Sequence, residues 1–306
     1  MESRFFMQQS AENKFVVDLL TTLQQERFSL RAWRRFFLRS WLMSCQTARE
    51  NPALTQSWGQ VTILMLFLMA AILIGNGLIA GYADALRLLP GFVFCVLWQQ
   101  SDLFWHLGLN RSTRSGELLQ SIGSANTLTW LRGLGASYLL GRLLGGLTEP
   151  SELTLAVFLG GIITDILDGH IARITGKQSK LGQIADAEAD FCLYLSLTII
   201  LLSKGILPLW VGIVMLLRFV VPLVAALLSY MALARPVRFG STAWGKYAGL
   251  VQCCYFLLLL LPLPHFTFFP LLNGLLLIIM IGLLVIAPIA QLFANIKVLK
   301  RSVQEG

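Results

Sequence analysis

Residues 153–203 read LTLAVFLGGIITDILDGHIARITGKQSKLGQIADAEADFCLYLSLTIILLS, two apolar stretches (153–173 and 181–203) joined by a short basic turn, Thr175-Gly-Lys-Gln-Ser-Lys180. Each stretch reaches the ~20 residues that a helix needs to cross a hydrocarbon core, inside which every backbone polar group must be satisfied by the helix itself. The stretches 61–82, 127–147, 207–230 and 271–296 fit the same description. Two more are weaker: 86–107 carries Pro90, Asp102 and His106, and 247–263 is short and ends near proline. The pattern predicts eight membrane spans, six on the strictest count.

Composition agrees with that reading. Of 306 residues, 56% are apolar and 13% charged, about half the ~25% charge usual in soluble domains. The mean hydropathy is +0.70. So little charge cannot coat a globule in water, and so much apolar surface excludes a disordered chain. The sequence predicts an all-α polytopic membrane protein.

The basic residues orient it. With eight spans and the N-terminus inside, the inward segments hold 19 of the 24 Lys and Arg, among them Arg111, Arg114, Arg173, Lys177, Lys180, Arg235, Arg238, Lys297, Lys300 and Arg301. The outward loops hold only Arg87 and Lys204, and the spans hold Arg132, Arg142 and Arg218. This asymmetry places both termini in the cytoplasm and makes the cell membrane the expected location. The net charge of +8 then reflects topology and attraction to anionic membrane lipids, with no call for nucleic acid as a partner.

The first 60 residues show no signal-peptide pattern, because residues 1–30 lack a continuous apolar core and a small-residue cleavage site. Residues 27–41 read as an amphipathic helix: at ~100° per residue, Arg27, Arg31, Arg34, Arg35 and Arg39 share one arc and Leu30, Trp33, Phe36, Phe37 and Trp41 the other. Such a helix lies in the inner interface or packs on the rest of the protein. The cysteines (Cys45, Cys95, Cys192, Cys253 and Cys254) form no CxxC pair and read as small apolar fillers.

The informative residues are acidic. Asp165, Asp168, Asp186, Glu188 and Asp190 fall within two adjacent spans, where each isolated charge costs ~2.5–3.5 kcal/mol on insertion scales. Ion pairs with Arg132, Arg142 or Arg218 account for one or two of them. Asp165 and Asp168 are spaced i,i+3, and Asp186 and Asp190 i,i+4, so each pair shares a helix face. Gly169 and Ala172 continue the first stripe and Gly182 extends the second. At ~1.5 Å per residue, Asp168 lies ~10 Å from the basic turn and Asp186 ~9 Å. The four aspartates thus converge at one shallow depth, and an all-oxygen set without Cys or His suits Mg²⁺ or Mn²⁺. Glu188 points away from them, towards a buried arginine. His106, His170 and His265 share no spacing, and His170 falls off the carboxylate stripe.

The run Asp165-x2-Asp168-Gly169-x2-Ala172-Arg173-x8-Gly182-x3-Asp186-x3-Asp190 resembles the full signature of the CDP-alcohol phosphatidyltransferase family. Asn126-Thr-Leu-Thr129-x2-Arg132 resembles the start of that family's first core helix. The resemblance covers roughly 124–296. It implies a six-helix core there; outside it, hydropathy and charge give two extra N-terminal transmembrane helices (61–110), a cytosolic or interfacial segment (1–60) and a cytosolic tail (297–306). It implies Asp165, Asp168, Asp186 and Asp190 as ligands of a pair of Mg²⁺ or Mn²⁺ ions, and Asp190 also as the base that takes the acceptor's proton. Asn126, Thr127, Leu128, Thr129, Gly169, Ala172, Arg173, Ser179 and Gly182 would bind the CDP-lipid. The implied reaction moves a phosphatidyl group from a donor such as CDP-diacylglycerol to the hydroxyl of a polar alcohol, releasing CMP.

The acceptor is less constrained. Some members that use glycerol phosphate carry Arg-Glu in the fourth core helix, whereas here Phe219 follows Arg218; Gly245-Lys246 and Gln252 match their fifth helix, but Gly249 stands in place of Thr. Arg132, Arg218 and Lys246 would form an anion pocket for a phosphorylated acceptor or else pair with the acidic cluster, Glu188 especially. Glycerol 3-phosphate is the first candidate and an inositol phosphate the second. The alternatives are transfer from a CDP-choline or CDP-ethanolamine type donor to a lipid alcohol, and a transporter or scaffold built on the acidic cluster. The N-terminal segments are assigned to membrane anchoring or to contact within a homodimer.

Overall fold

Among the described residues, a helix covers most of each predicted span. The computed structural model describes residues 21–147, 151–233, 243–261 and 268–304; Arg235, Arg238, His265 and the first 20 residues lie outside them. The helices are α1 (Leu30–Glu50), α2 (Pro52–Ala80), α3 (Tyr82–Trp105), α4 (Gly123–Leu144), α5 (Ser151–Thr175), α6 (Lys180–Ser203), α7 (Leu209–Leu233), α8 (Ala243–Leu260) and α9 (Phe269–Gln304). The eight spans correspond to α2–α9 in order. Among them α2, α5, α8 and the stretch Phe269–Ala290 of α9 are long and apolar enough to cross a membrane. No named strand occurs among the described residues. The chain is an all-α, polytopic integral membrane protein.

The chain divides into two compact units, the first comprising Glu26–Ser196 and the second Leu197–Gly306. In the first, α2 and α3 form a hairpin joined at Gly81, whose φ of 101° disfavours any residue with a β-carbon. α3 lies against α4, and glycines make that approach close. A β-carbon on Gly141 would come within 2.8 Å of the Phe92 backbone, and one on Gly145 within 2.6 Å of the Arg87 carbonyl oxygen. α4 is buried on most sides through Trp130, Leu134, Ala136, Tyr138 and Leu139. It also packs on α5, and Arg142 turns to Asn76 of α2 (2.8 Å) rather than to the aspartates. In the second unit α9 packs on both α7 and α8.

α1 differs from its predicted extent. It begins at Leu30, because the Ser29 hydroxyl accepts from the Ala32 N–H at 3.2 Å and so caps the helix. Arg27 and Phe28 stand before it in the left-handed region. Its aromatic side meets α3 through Phe37–Trp105, Trp41–Phe104 and Trp41–Trp105 ring contacts, while Leu30, Leu38 and Leu42 stay exposed among the arginines. The helix thus packs on the protein, one of the two arrangements expected of it.

Between α3 and α4 the chain forms a strap. The Asn110 amide, fully buried, donates to the Leu119 and Ser121 carbonyls (3.1 and 2.9 Å), and the Ser112 N–H donates to the Glu117 carbonyl (2.9 Å). The strap then pairs with the α5–α6 turn through a bridge between Ser112 and Ser179. Gly176, at φ 65°, turns the chain there.

Candidate active site

α5 and α6 run to and from the basic turn, so Asp165, Asp168, Asp186 and Asp190 come together as their spacing predicts. What holds them is a residue of α4. The Arg132 guanidinium, 1% exposed, makes ion pairs with all four: Nη1 with Asp165 (2.5 Å) and Asp190 (3.1 Å), Nη2 with Asp168 (3.3 Å) and Asp186. One guanidinium reaches four carboxylates only if their oxygens face one point. One oxygen each of Asp165, Asp168 and Asp186 lies within 4.8 Å of the others. This convergent, oxygen-only donor set fits a hard divalent cation.

Neighbouring residues fix the cluster. Thr129, expected to line the nucleotide, is buried and donates its hydroxyl to Asp168 Oδ2 at 2.8 Å. A β-carbon on Gly161 would meet Leu193 Cδ2 at 2.6 Å and the Arg132 stem at 3.8–3.9 Å, so that glycine lets α5 lie against both α4 and α6. The spacing of the motif did not single out Gly161; an apolar stretch reading Gly160-Gly161 was the available signal.

The residues assigned to the donor fall at the turn end of the same helices. The Ser179 hydroxyl caps α6 by accepting from the Gly182 N–H (3.0 Å) and receives the Asn126 amide (3.2 Å), which also donates to the Ile122 carbonyl (2.8 Å). Gly182 is needed there, since a β-carbon would collide with Asn126 Oδ1. Thr127 donates back to the Gly123 carbonyl (2.9 Å), and Leu128 is half-buried beside it. On α5, exposed Arg173 folds back over Gly169, where a β-carbon would touch its Nη1 at 3.5 Å; Ala172 is half-buried and His170 exposed. A small cavity is lined by Gly123, Ser124, Ala125, Thr175 and Lys177, the residues just before Asn126 and around the turn.

Of the three cations assigned to the acceptor, one lies in the first unit and two in the second. Arg132 belongs to the aspartate cluster. Arg218 and Lys246 belong to the second unit, where Arg218 Nη1 donates to Gln252 Oε1 (3.0 Å) and its guanidinium lies 5.0 Å from the Phe219 ring centroid. The space beside Gly249 is filled by that guanidinium, 2.6 Å from where a β-carbon would stand. A Thr at 249 would therefore displace Arg218. Lys246 is exposed.

Glu188 corrects one expectation. It faces away from the metal-ligand face, but towards Asp102 and His106 rather than an arginine, the three offering ligand atoms within 4.8 Å of one another. Asp102 and His106, four residues apart in one of the two weaker predicted spans, were the available signal of further ionisable groups in the helices.

Neither the comparison with curated proteins nor that with solved structures gave a match. The family model for CDP-alcohol phosphatidyltransferase matches residues 123–291, from the first residue of α4 into α9 and so over all the helices that build the carboxylate cluster. With more than half of its length matched and the family's acidic motif gathered at one point, the chain belongs to the CDP-alcohol phosphatidyltransferase family.

Proposed function

We propose that this protein transfers a phosphatidyl group from a CDP-lipid, such as CDP-diacylglycerol, to the hydroxyl of a small polar alcohol and releases CMP. Family membership carries the coarser statement, transfer from a CDP-alcohol to an acceptor. The observation that supports the finer one is the convergence of Asp165, Asp168, Asp186 and Asp190 on a single cationic point. These four are the proposed ligands of Mg²⁺ or Mn²⁺. When bound, such ions offset charge on the diphosphate and hold it in line for displacement.

The chain's own residues do the rest. Asp190 is the proposed base that accepts the proton of the acceptor hydroxyl; a carboxylate suffices because bond formation in a loose transition state leads proton transfer. Asn126, Thr127, Leu128, Ser179 and Gly182 are proposed to line the nucleotide, with Gly169 and Ala172 giving it room. Exposed Arg173 is available to take phosphate oxygens bidentately. Thr129 orients Asp168. Arg218 and Lys246 are proposed to favour a phosphorylated acceptor, glycerol 3-phosphate before an inositol phosphate.

The proposed setting is the cell membrane, with both termini and the α5–α6 turn on the cytoplasmic side. There CMP and a polar acceptor reach the site while acyl chains remain in lipid. The proposed division is an interfacial segment (1–60), an extra hairpin (61–110), a transferase core (124–296) and a tail (297–306).

The test uses purified protein, Mg²⁺ or Mn²⁺, CDP-diacylglycerol and a panel of glycerol 3-phosphate, inositol 1-phosphate, inositol and serine, with CMP release as readout. Metal-dependent release with one acceptor is the expected result, abolished by EDTA and restored by either ion. Asp190→Asn is expected to remove turnover while leaving the fold intact by circular dichroism. Wild-type rates in that variant would take the base role away from Asp190.

A further inference from the structure

We propose that the segment before the family core is a positioning element of the transferase site, gripping α6 at two points. Asp102 and His106 hold Glu188, and the backbone of Arg111–Thr113 holds the turn that carries Ser179. The gripping residues all precede residue 123, where the family match begins, and what they hold lies inside it.

The first grip follows from helix geometry. Glu188 is two residues from Asp186 and two from Asp190, so at ~100° per residue it projects from the opposite side of α6. Whatever fixes Glu188 therefore sets the rotation of the helix and the aim of both aspartates. Asp102 and His106 close round it, their ligand atoms and that of Glu188 lying within 4.8 Å of one another. His106 Nδ1 is 3.1 Å from the Asp102 carbonyl and 3.3 Å from its carboxylate, which ties the imidazole to the end of α3. The His106–Asp102 pair thus presents a polar face to Glu188, which an apolar face cannot replace.

The second grip is independent and made by the main chain. The Thr113 N–H donates to the Gln178 carbonyl (2.9 Å) and the Lys180 N–H to the Arg111 carbonyl (3.0 Å). These two bonds bracket Ser179, which caps α6 and receives Asn126. Ser179 and Glu188 are ~13 Å apart along the helix axis at ~1.5 Å per residue. A rod held at two such points keeps both its rotation and its depth. Tolerances near ~0.5 Å at a metal centre make such support consequential.

The proposal rests on the four aspartates being metal ligands, so its test needs one readout that does not. Full-length protein in nanodiscs is titrated with Mn²⁺ while electron paramagnetic resonance reports the free ion, and hydrogen exchange is followed over residues 180–190. Asp165→Asn is the control for the metal reading. Asp102→Ala and Glu188→Ala are each expected to weaken Mn²⁺ binding by about 10-fold, the lower end of the range for groups hydrogen-bonded to metal ligands, because they act through the helix and not by contact with a ligand. The double variant should bind no more weakly than the worse single one, because both act through one contact. Glu188→Gln, which keeps hydrogen-bonding capacity, should recover much of the affinity and covers the case in which Glu188→Ala fails to fold. Thr113→Pro, lacking the N–H, should raise KM for the CDP-lipid more than it lowers kcat.

Exchange of α6 amides should rise in Asp102→Ala whether or not Mn²⁺ is present. Unchanged α6 exchange in that folded variant overturns the positioning role. Independent, multiplicative effects of the two alanine changes on Mn²⁺ affinity overturn it as well. If Asp165→Asn leaves Mn²⁺ binding intact, the metal reading of the aspartates fails, and α6 exchange alone then decides the positioning role.

Discussion

Arg132 is the residue whose place matters most. Sequence presents it as one of three intramembrane arginines, with an acceptor pocket or the aspartates as its alternatives. In the fold it sits among all four aspartates with its guanidinium nearly fully buried. If the aspartates hold a divalent ion as proposed, the guanidinium and the ion would compete for the same oxygens, and the arginine would have to withdraw as the ion enters. Arg132→Met should therefore raise Mn²⁺ affinity, by about tenfold for each ~1.4 kcal/mol of competition removed, and lower the thermal midpoint in chelator. Arg132→Lys, with one compact ammonium in place of the fork, should fall between. Reduced Mn²⁺ affinity in a folded Arg132→Met protein would show that the arginine supports the ligands instead. The aspartates were legible because four charges in apolar helices at i,i+3 and i,i+4 are costly unless they share a cation. Their protein partner was not, since nothing in the order of residues says which of Arg132, Arg142 and Arg218 reaches them.

For the elements, boundaries followed from local chemistry and contacts did not. The turn at 176–179 separates α5 from α6 where the basic, glycine-containing run predicted it. α1 started later than its charge pattern suggested because a serine cap outweighs amphipathic periodicity at a helix start. Ser179 does the same for α6, and Ser179→Ala should cost about 1 kcal/mol through the lost cap and leave the Asn126 amide one partner fewer; chemical denaturation in mixed micelles measures it. The glycines of α4 are where α3 docks. Gly141→Leu should destabilise by about 1–3 kcal/mol, the usual range for overpacking, and more than Gly160→Leu, whose β-carbon position has nothing within 4 Å. Similar costs for the two would mean that the α3–α4 approach is less tight than the backbone separation implies.

At the scale of the whole molecule, topology decides access to the site. Nineteen basic residues on one side against two on the other predict a cytoplasmic α5–α6 turn. With the native cysteines replaced, Ser203→Cys should react with an impermeant maleimide in intact cells and Gln178→Cys only after permeabilisation. The reverse pattern would put the proposed site on the wrong side for CMP release into the cytosol. The first of the two units holds the cluster and the segment that precedes the family core, which meet at Glu188 and Ser179.

Sequence alone determined that this is a helical membrane protein, where its helices run, and that four aspartates converge near one end of α5 and α6. Each of those is a matter of hydropathy, capping and spacing along a single helix or across one short turn. Only the tertiary structure decided that Arg132 sits among the aspartates, that Arg218 fills the space beside Gly249, and that Asp102, His106 and the strap reach α6. Those contacts join residues far apart in the chain. Beside Gly161 and Gly249 the contact depends on how closely a glycine lets a neighbour approach, a quantity that no local pattern encodes.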